Sequence, residues 1–201
     1  MTTHLPLKAL LAAVLLSMGA LASTAASAAV LDFDTLSGAN NPPFTSYSQD
    51  GFTLVNTAGQ FYVGGVFGNP APSIFSGRLY GSPSAAVTLT AAGGADFIFS
   101  AFDFASNNGA TSYVLTGFQD GAEIFNISAT SSVTSGFITL TPGTASSVVD
   151  LVTLSFTGSG TSFNLDNIVV NAATVPVPEP ASLALFSMGL LGLGLTRARR
   201  A

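Results

Sequence analysis

Apolar and polar residues alternate with a period of two through most of the chain between residues 30 and 170. Val, Ile, Phe and Thr dominate these runs, and an apolar stripe with a period of 3.6 residues is rare. A period of two places successive side chains on opposite faces of a strand. The pattern predicts ten strands: Val30 to Asp34, Phe52 to Val55, Phe61 to Val66, Ala86 to Thr90, Phe97 to Phe104, Ser112 to Phe118, Glu123 to Ser128, Phe137 to Thr141, Val149 to Phe156 and Ser162 to Val170.

Clusters of Gly, Pro, Asn and Asp separate these runs, and Asp120-Gly121 is the strongest hairpin signal among them. Within Phe97 to Phe104 the aromatic positions change from odd to even numbers, which predicts a bulge or a strand that changes sheets. Short strands without intervening helices favour two packed sheets. We therefore expect an all-β domain over residues 29–172, an antiparallel β-sandwich or jelly roll.

The first 28 residues have the pattern of a signal peptide. Lys8 precedes an apolar run from Ala9 to Ala22, and small residues at Ala26 and Ala28 mark a cleavage site before Ala29. The apolar run is shorter than the ~20 residues that a membrane-spanning helix needs. We expect a signal helix that directs export through the Sec translocon and that signal peptidase removes.

The last segment, residues 173–201, has three successive parts. A proline-rich stretch ends in Val177, Pro178, Glu179 and Pro180; residues 181–196 are apolar or small apart from the final threonine; and Arg197, Arg199 and Arg200 follow. Closely spaced prolines favour an extended, accessible backbone. The apolar part predicts a single transmembrane helix, and the arginines predict that its end stays cytoplasmic.

Charge and composition exclude several function classes. Nine of the ten acidic residues lie between Asp32 and Asp166, where Arg78 is the only basic residue. A strongly acidic domain opposes binding to nucleic acid. The only histidine is His4 and there is no cysteine, so the side chains most used for nucleophilic and proton-transfer chemistry are missing. We predict no catalytic residues and no enzyme activity; a hydrolase built on two carboxylates remains the alternative, without a motif to support it.

The first and last predicted strands carry acidic residues. The segments are Leu31 to Asp34 and Phe163 to Ile168, and this arrangement resembles extracellular jelly-roll carbohydrate-binding domains. The resemblance implies neighbouring strands whose Asp32, Asp34 and Asp166, with backbone carbonyls, hold a structural Ca²⁺. The alternative is that the last-strand acid caps a hairpin end. No cofactor is otherwise expected.

Few residues could form a sugar-binding surface. The chain has no tryptophan and four tyrosines. Tyr62 and Tyr80, with Arg78 and the loop around Asn69, are the candidates for a concave ligand face because sugar sites combine aromatic and polar groups. The alternative is that both tyrosines lie at a rim and that the arginine pairs with one of many carboxylates.

The tail closely resembles the PEP-CTERM sorting tail in all three of its parts. This resemblance implies recognition by an exosortase, processing near Pro178-Glu179-Pro180, and release or transfer to the cell surface in bacteria that make exopolysaccharide. We therefore expect an exported surface or matrix protein, transiently anchored by its tail, non-catalytic, and associated with exopolysaccharide or biofilm. A calcium-stabilised carbohydrate-binding module is the alternative.

Overall fold

The computed structural model describes residues 28–36, 40–132, 136–144 and 147–173. Except for Ala28, the predicted signal peptide lies outside the described residues, and so does the predicted tail except for Ala173. Within the described ranges, no helix has the length and apolarity that crossing a membrane requires.

These ranges contain thirteen strands in chain order, together with two short 3₁₀ helices, Arg78–Tyr80 and Ala92–Gly94. The strands are β1 Ala28–Leu31, β2 Pro43–Phe44, β3 Ser46–Gln49, β4 Phe52–Ala58, β5 Phe61–Gly64, β6 Ser73–Ser76, β7 Ser84–Ala91, β8 Phe97–Asn107, β9 Thr111–Gln119, β10 Ala122–Ser131, β11 Ile138–Leu140, β12 Leu151–Gly158 and β13 Ser162–Ala172.

The strands make two antiparallel sheets that pack face to face. Sheet A has the order β11-β8-β13-β6-β5-β2, with β1 also paired to β13, and sheet B has the order β10-β9-β12-β7-β4-β3. The predicted all-β sandwich is confirmed. The first and last strands are neighbours, since Leu31 pairs with Ile168.

Phenylalanine fills the space between the sheets. Phe97, Phe99, Phe102 and Phe104 on β8 are all buried, although they change from odd to even positions. The pairing of β13 with β8 shifts register twice between Asp166 and Val170. The predicted bulge is therefore confirmed, and it lets both sets of rings face the core.

The hairpin at Asp120-Gly121 is also confirmed. Gln119 pairs with Ala122, so the loop has two residues. Asp120 and Gly121 have φ values of 51° and 78°. Two successive positive φ values define the type I′ turn that matches the twist of a tight hairpin.

Candidate functional site

An open pocket with a volume of about 190 Å³ lies on the outer face of sheet A. Its lining combines aromatic rings with amides and a hydroxyl, and none of the lining residues is charged. The lining residues are Asn40, Asn41, Gly64, Phe67, Phe75, Tyr80, Asn107, Ser162 and Asn164.

The floor of the pocket is polar because of strand alternation along β13. Phe163 is buried in the core, so its neighbour Asn164 points to the outer face, where it pairs with Phe75 on β6. Asn107 Nδ2 donates hydrogen bonds to Ser162 Oγ at 2.9 Å and to Asn164 Oδ1 at 3.0 Å. Each of the two amides thus holds the other in place.

One wall of the pocket is an aromatic cluster. The ring of Tyr80 lies 4.7 Å from that of Phe75 and 5.8 Å from that of Tyr62, measured between centroids. The structure thus brings together the two tyrosines that the sequence suggested: Tyr80 lines the pocket and Tyr62 packs behind it. Phe75 was missed, because nothing in the sequence places a strand of four buried residues between two turns.

A tight turn after β6 positions Tyr80. The amide N–H groups of Tyr80 and Ser82 both donate to the carbonyl of Gly77, at 3.1 and 3.0 Å. Gly77 has a φ of 145°, and a Cβ there would lie 2.5 Å from the carbonyl oxygen of Thr161. Only glycine allows this approach, so the turn that carries Tyr80 is fixed against the start of β13.

Arg78 lies apart from the pocket. Its side chain is exposed, and it lines a separate depression of about 360 Å³ with Leu79, Ser159, Gly160 and Thr161. The arginine therefore belongs to the same 3₁₀ turn as Tyr80 but not to the lining of the same pocket.

Two buried carboxylates lie next to the pocket on the outer face of sheet A. Asp103 on β8 and Asp166 on β13 are partners in the ladder. Asn69 covers both: its backbone N–H donates to Asp166 Oδ2 at 2.6 Å and its Nδ2 donates to Asp103 Oδ2 at 3.0 Å. Asp103 also accepts hydrogen bonds from Asn167 Nδ2 at 2.9 Å and Thr139 Oγ1 at 2.6 Å.

Burial raises the pKa of Asp166 to about 7. That value is the net result of several effects: the negative charges of Asp103 and Asp34 also favour the protonated form, while hydrogen bonds from the backbone N–H groups of Asn69 and Asn167 favour the ionised form. Desolvation dominates because the residue is fully buried and a carboxylate loses its hydration there. Burial thus favours the protonated, uncharged form of this carboxyl group relative to an exposed aspartate.

The three acids for which calcium was expected have different partners in the structure. Asp32 accepts hydrogen bonds from Gln49 Nε2 at 3.1 Å and from the N–H of Asp34 at 3.0 Å. Asp34 is exposed, and the ladder partner of Asp166 is Asp103. In the part of the chain that the structure describes, no three His, Cys, Asp or Glu side chains form a group able to hold a metal. The calcium site therefore stays a prediction.

Sequence reasoning missed Asp103 as a neighbour of Asp166. Its position between Phe102 and Phe104, both core residues, indicates that it points away from the core. That pattern predicts the face of the sheet on which Asp103 lies. It does not predict that Asp166 is its neighbour, because this depends on the register between β8 and β13.

The comparison with family models confirms the resemblance of the tail. A model for the PEP-CTERM protein-sorting motif matches residues 176–200. The matched range includes Val177, Pro178, Glu179 and Pro180 and the arginines at 197, 199 and 200. No curated protein matches the chain.

Among solved structures, a DUF4465 family protein from Bacteroides caccae shares the fold, with a TM-score of 0.50 and 11% identity over 73% of this chain and 100% of that chain. The CBM22-1–GH10 modules of Clostridium thermocellum xylanase 10B give a TM-score of 0.37 and 17% identity over 61% of this chain and 26% of that chain. A family 29 carbohydrate binding module gives a TM-score of 0.34 and 16% identity, over 73% of this chain and 89% of that chain. At these two lower TM-scores the likeness says nothing about what this chain binds.

Proposed function

The chain carries a PEP-CTERM protein-sorting motif, and from this premise we propose that it is an exported, non-enzymatic surface protein whose β-sandwich binds an uncharged extracellular polysaccharide. The motif implies an exosortase as the processing partner, export, and anchoring in the membrane through the tail before cleavage. Transport by the Sec translocon and cleavage by signal peptidase before Ala29 complete the proposed route.

The pocket on sheet A is the observation that carries the binding proposal. Sugar sites combine an apolar ring face with a few fixed hydrogen-bonding groups. Tyr80 and Phe75 supply the ring faces, and Asn107, Asn164 and Ser162 supply amides and a hydroxyl. Amides both donate and accept, as sugar hydroxyls require.

Charge favours an uncharged polymer over an anionic one. Between Asp32 and Asp166 the chain has nine acids and one basic residue, Arg78, which lies outside the pocket lining. A negative domain repels polyanions such as nucleic acids and acidic polysaccharides over distances of about one Debye length. A neutral polysaccharide suffers no such repulsion.

The absence of enzyme activity is part of the proposal. The described residues include neither histidine nor cysteine. Asp103 and Asp166, the buried carboxylates closest to the pocket, both accept hydrogen bonds from Asn69, and neither lines the pocket. Biofilm association follows if the bound polymer is the exopolysaccharide of the producing cell.

A second candidate is a calcium-stabilised form of the same binding module. Asp103 and Asp166 are two buried acids, and no basic side chain contacts them in the described ranges, where Arg78 is the only basic residue and is exposed. Two buried like charges need a proton or a cation for compensation. Carboxylate and amide oxygens suit Ca²⁺.

Affinity chromatography of the mature protein recovered from the cell surface tests the binding proposal. We expect retention on columns of neutral polysaccharides, such as glucans, mannans and xylans, and no retention on alginate or heparin. Retention should persist at high salt because no ion pairs are involved. Flow-through on every neutral column, or retention on the anionic columns alone, contradicts the proposal.

A further inference from the structure

We infer that the pocket binds a single uncharged sugar residue, at a chain end or a branch, and does not bind a run of residues along a polysaccharide. This inference rests on the proposed function and names the part of the polymer that is recognised. It follows from the size of the pocket, the position of its walls and the groups on its floor.

The volume fits one ring. About 190 Å³ is available in the pocket. Pockets for drug-sized molecules measure about 300–1,000 Å³. A single pyranose ring with its hydroxyls is the sugar unit whose size suits this pocket.

The walls close the pocket at both ends along the strand direction. At one end, Tyr80 follows the last residue of β6, Ser76. At the other end, Gly64 pairs with Ser73 at the start of β6, and the turn after Gly64 brings in Phe67. β6 lies between these two walls, and its four residues, Ser73–Ser76, span only about 10 Å between their first and last Cα atoms.

Both end walls and the side wall are anchored. Ser73 Oγ donates to the carbonyl of Phe67 at 2.7 Å, and the Phe67 ring packs 5.2 Å from that of Phe137. On the side next to β5, the N–H of Asn41 donates to the carbonyl of Val63 at 3.0 Å. A polysaccharide chain laid along the strands therefore meets a fixed aromatic ring at each end.

The floor offers a fixed donor and a fixed acceptor. Asn164 is only 4% exposed, and its Nδ2 makes no hydrogen bond to any residue in the described ranges. Asn107 uses its Nδ2 to bond Asn164 and Ser162, which leaves its own Oδ1 free of bonds to the described residues. Because each amide is held by the other, the two side chains lose little conformational entropy when a ligand binds. Neighbouring hydroxyls of one ring match such a pair.

The dependence of affinity on chain length tests this inference. Isothermal titration of the mature protein is carried out with methyl glycosides of glucose, galactose, mannose, xylose and N-acetylglucosamine, and with their oligomers of two to six residues. For the sugar that binds, we expect the methyl glycoside and the hexamer to differ by less than about threefold in Kd, a difference under ~0.7 kcal/mol. A rise in affinity of tenfold or more with length overturns the inference and leaves the proposed function standing.

A substitution at the floor gives an independent result. Asn164→Asp keeps the shape but replaces the free amide donor by a carboxylate, and we expect at least a tenfold loss of affinity for the same glycoside. Asn126→Asp, on an exposed position of β10, is the matched control and should bind as the natural protein does. Equal binding by both variants overturns the inference. Absence of binding to every glycan, by the natural protein itself, overturns the proposed function as well. The length series needs no variant and stands if Asn164→Asp fails to fold.

Discussion

At the scale of single residues, Asp166 couples the stability of the fold to pH. Its pKa is about 7 in the fold, against an ordinary value of 3.8. The folded state therefore holds the proton more tightly than the unfolded state does. The stabilisation from this proton is complete below pH ~3.8 and is lost as the pH rises through ~7.

We accordingly expect Tm to fall between pH 5 and pH 8 and Asp166→Asn to abolish most of this fall, because the amide cannot ionise. Asp120→Asn is the matched control: this exposed residue has a φ of 51°, which asparagine tolerates. Thermal melting of the three proteins at both pH values measures the slopes. If Tm falls as steeply with pH in Asp166→Asn as in the control, Asp166 is not the group that couples stability to pH.

Calcium acts on the same pair of carboxylates in the second candidate. That candidate predicts a higher Tm at pH 8 with millimolar Ca²⁺ than with excess chelator, since bound cation replaces the proton and stabilises the folded state by mass action. Asp103→Asn should remove the difference. An unchanged melting midpoint on addition of chelator to the natural protein rules out a structural calcium.

The residues of the site were only partly predictable. Tyr62 and Tyr80 could be singled out because the chain has no tryptophan and only four tyrosines. Asn107 and Asn164 gave no signal, since asparagine is common in turns and their hydrogen bond joins strands 57 positions apart. Pairings at that distance depend on sheet register, which local sequence does not encode.

At the scale of the elements, alternation predicted the long strands and the tight hairpin. It missed β2, β3 and β6, and the reasons differ. Pro43–Phe44 is too short to show a period, and Ser46–Gln49 has a single apolar residue, Tyr47. Ser73–Ser76 has all four residues buried, and the outward-facing Phe75 packs against the rings of Tyr62 and Tyr80. This strand therefore has no alternation of buried and exposed positions.

The hairpin between β9 and β10 gives a prediction about backbone conformation. Gly121 has a φ of 78°, and no atom lies within 4 Å of the position that a Cβ would occupy, so alanine there is strained by its backbone alone. We expect Gly121→Ala to lower the free energy of unfolding by about 1 kcal/mol.

Chemical denaturation measures this cost, with Gly136→Ala as the control. Gly136 also has open space around its Cβ position but no left-handed φ, so its substitution should be close to neutral. Equal effects of the two substitutions would mean that the turn does not hold Gly121 in the left-handed region.

At the scale of the whole molecule, the tail and the strand order of the sandwich differ in how well the sequence predicts them. The tail was predictable from sequence because a proline-rich motif, an apolar stretch and a basic end occur in order, and the family model matches the same range. The order of strands in the two sheets could not be predicted, because the chain crosses between the sheets at irregular intervals, and long-range packing decides where it crosses.

Processing at the tail is testable by mass. We expect the natural protein recovered from the cell surface to begin at Ala29 and to end close to Pro178-Glu179-Pro180. Deletion of residues 177–180 should leave the protein in the membrane fraction with its tail intact, because the exosortase then lacks its recognition segment. Intact-mass measurement of both fractions decides the outcome, and a full-length tail on the natural surface protein contradicts the proposed sorting.

We propose that the pocket beside Tyr80 binds an uncharged polysaccharide. The most direct measurement compares Tyr80→Ala with Leu79→Ala, its exposed neighbour in the same 3₁₀ turn but outside the pocket lining. Titration with the neutral polysaccharide retained on the column should give at least a tenfold weaker Kd for Tyr80→Ala and an unchanged Kd for Leu79→Ala, at equal Tm. Unchanged binding by a folded Tyr80→Ala protein would contradict the claim.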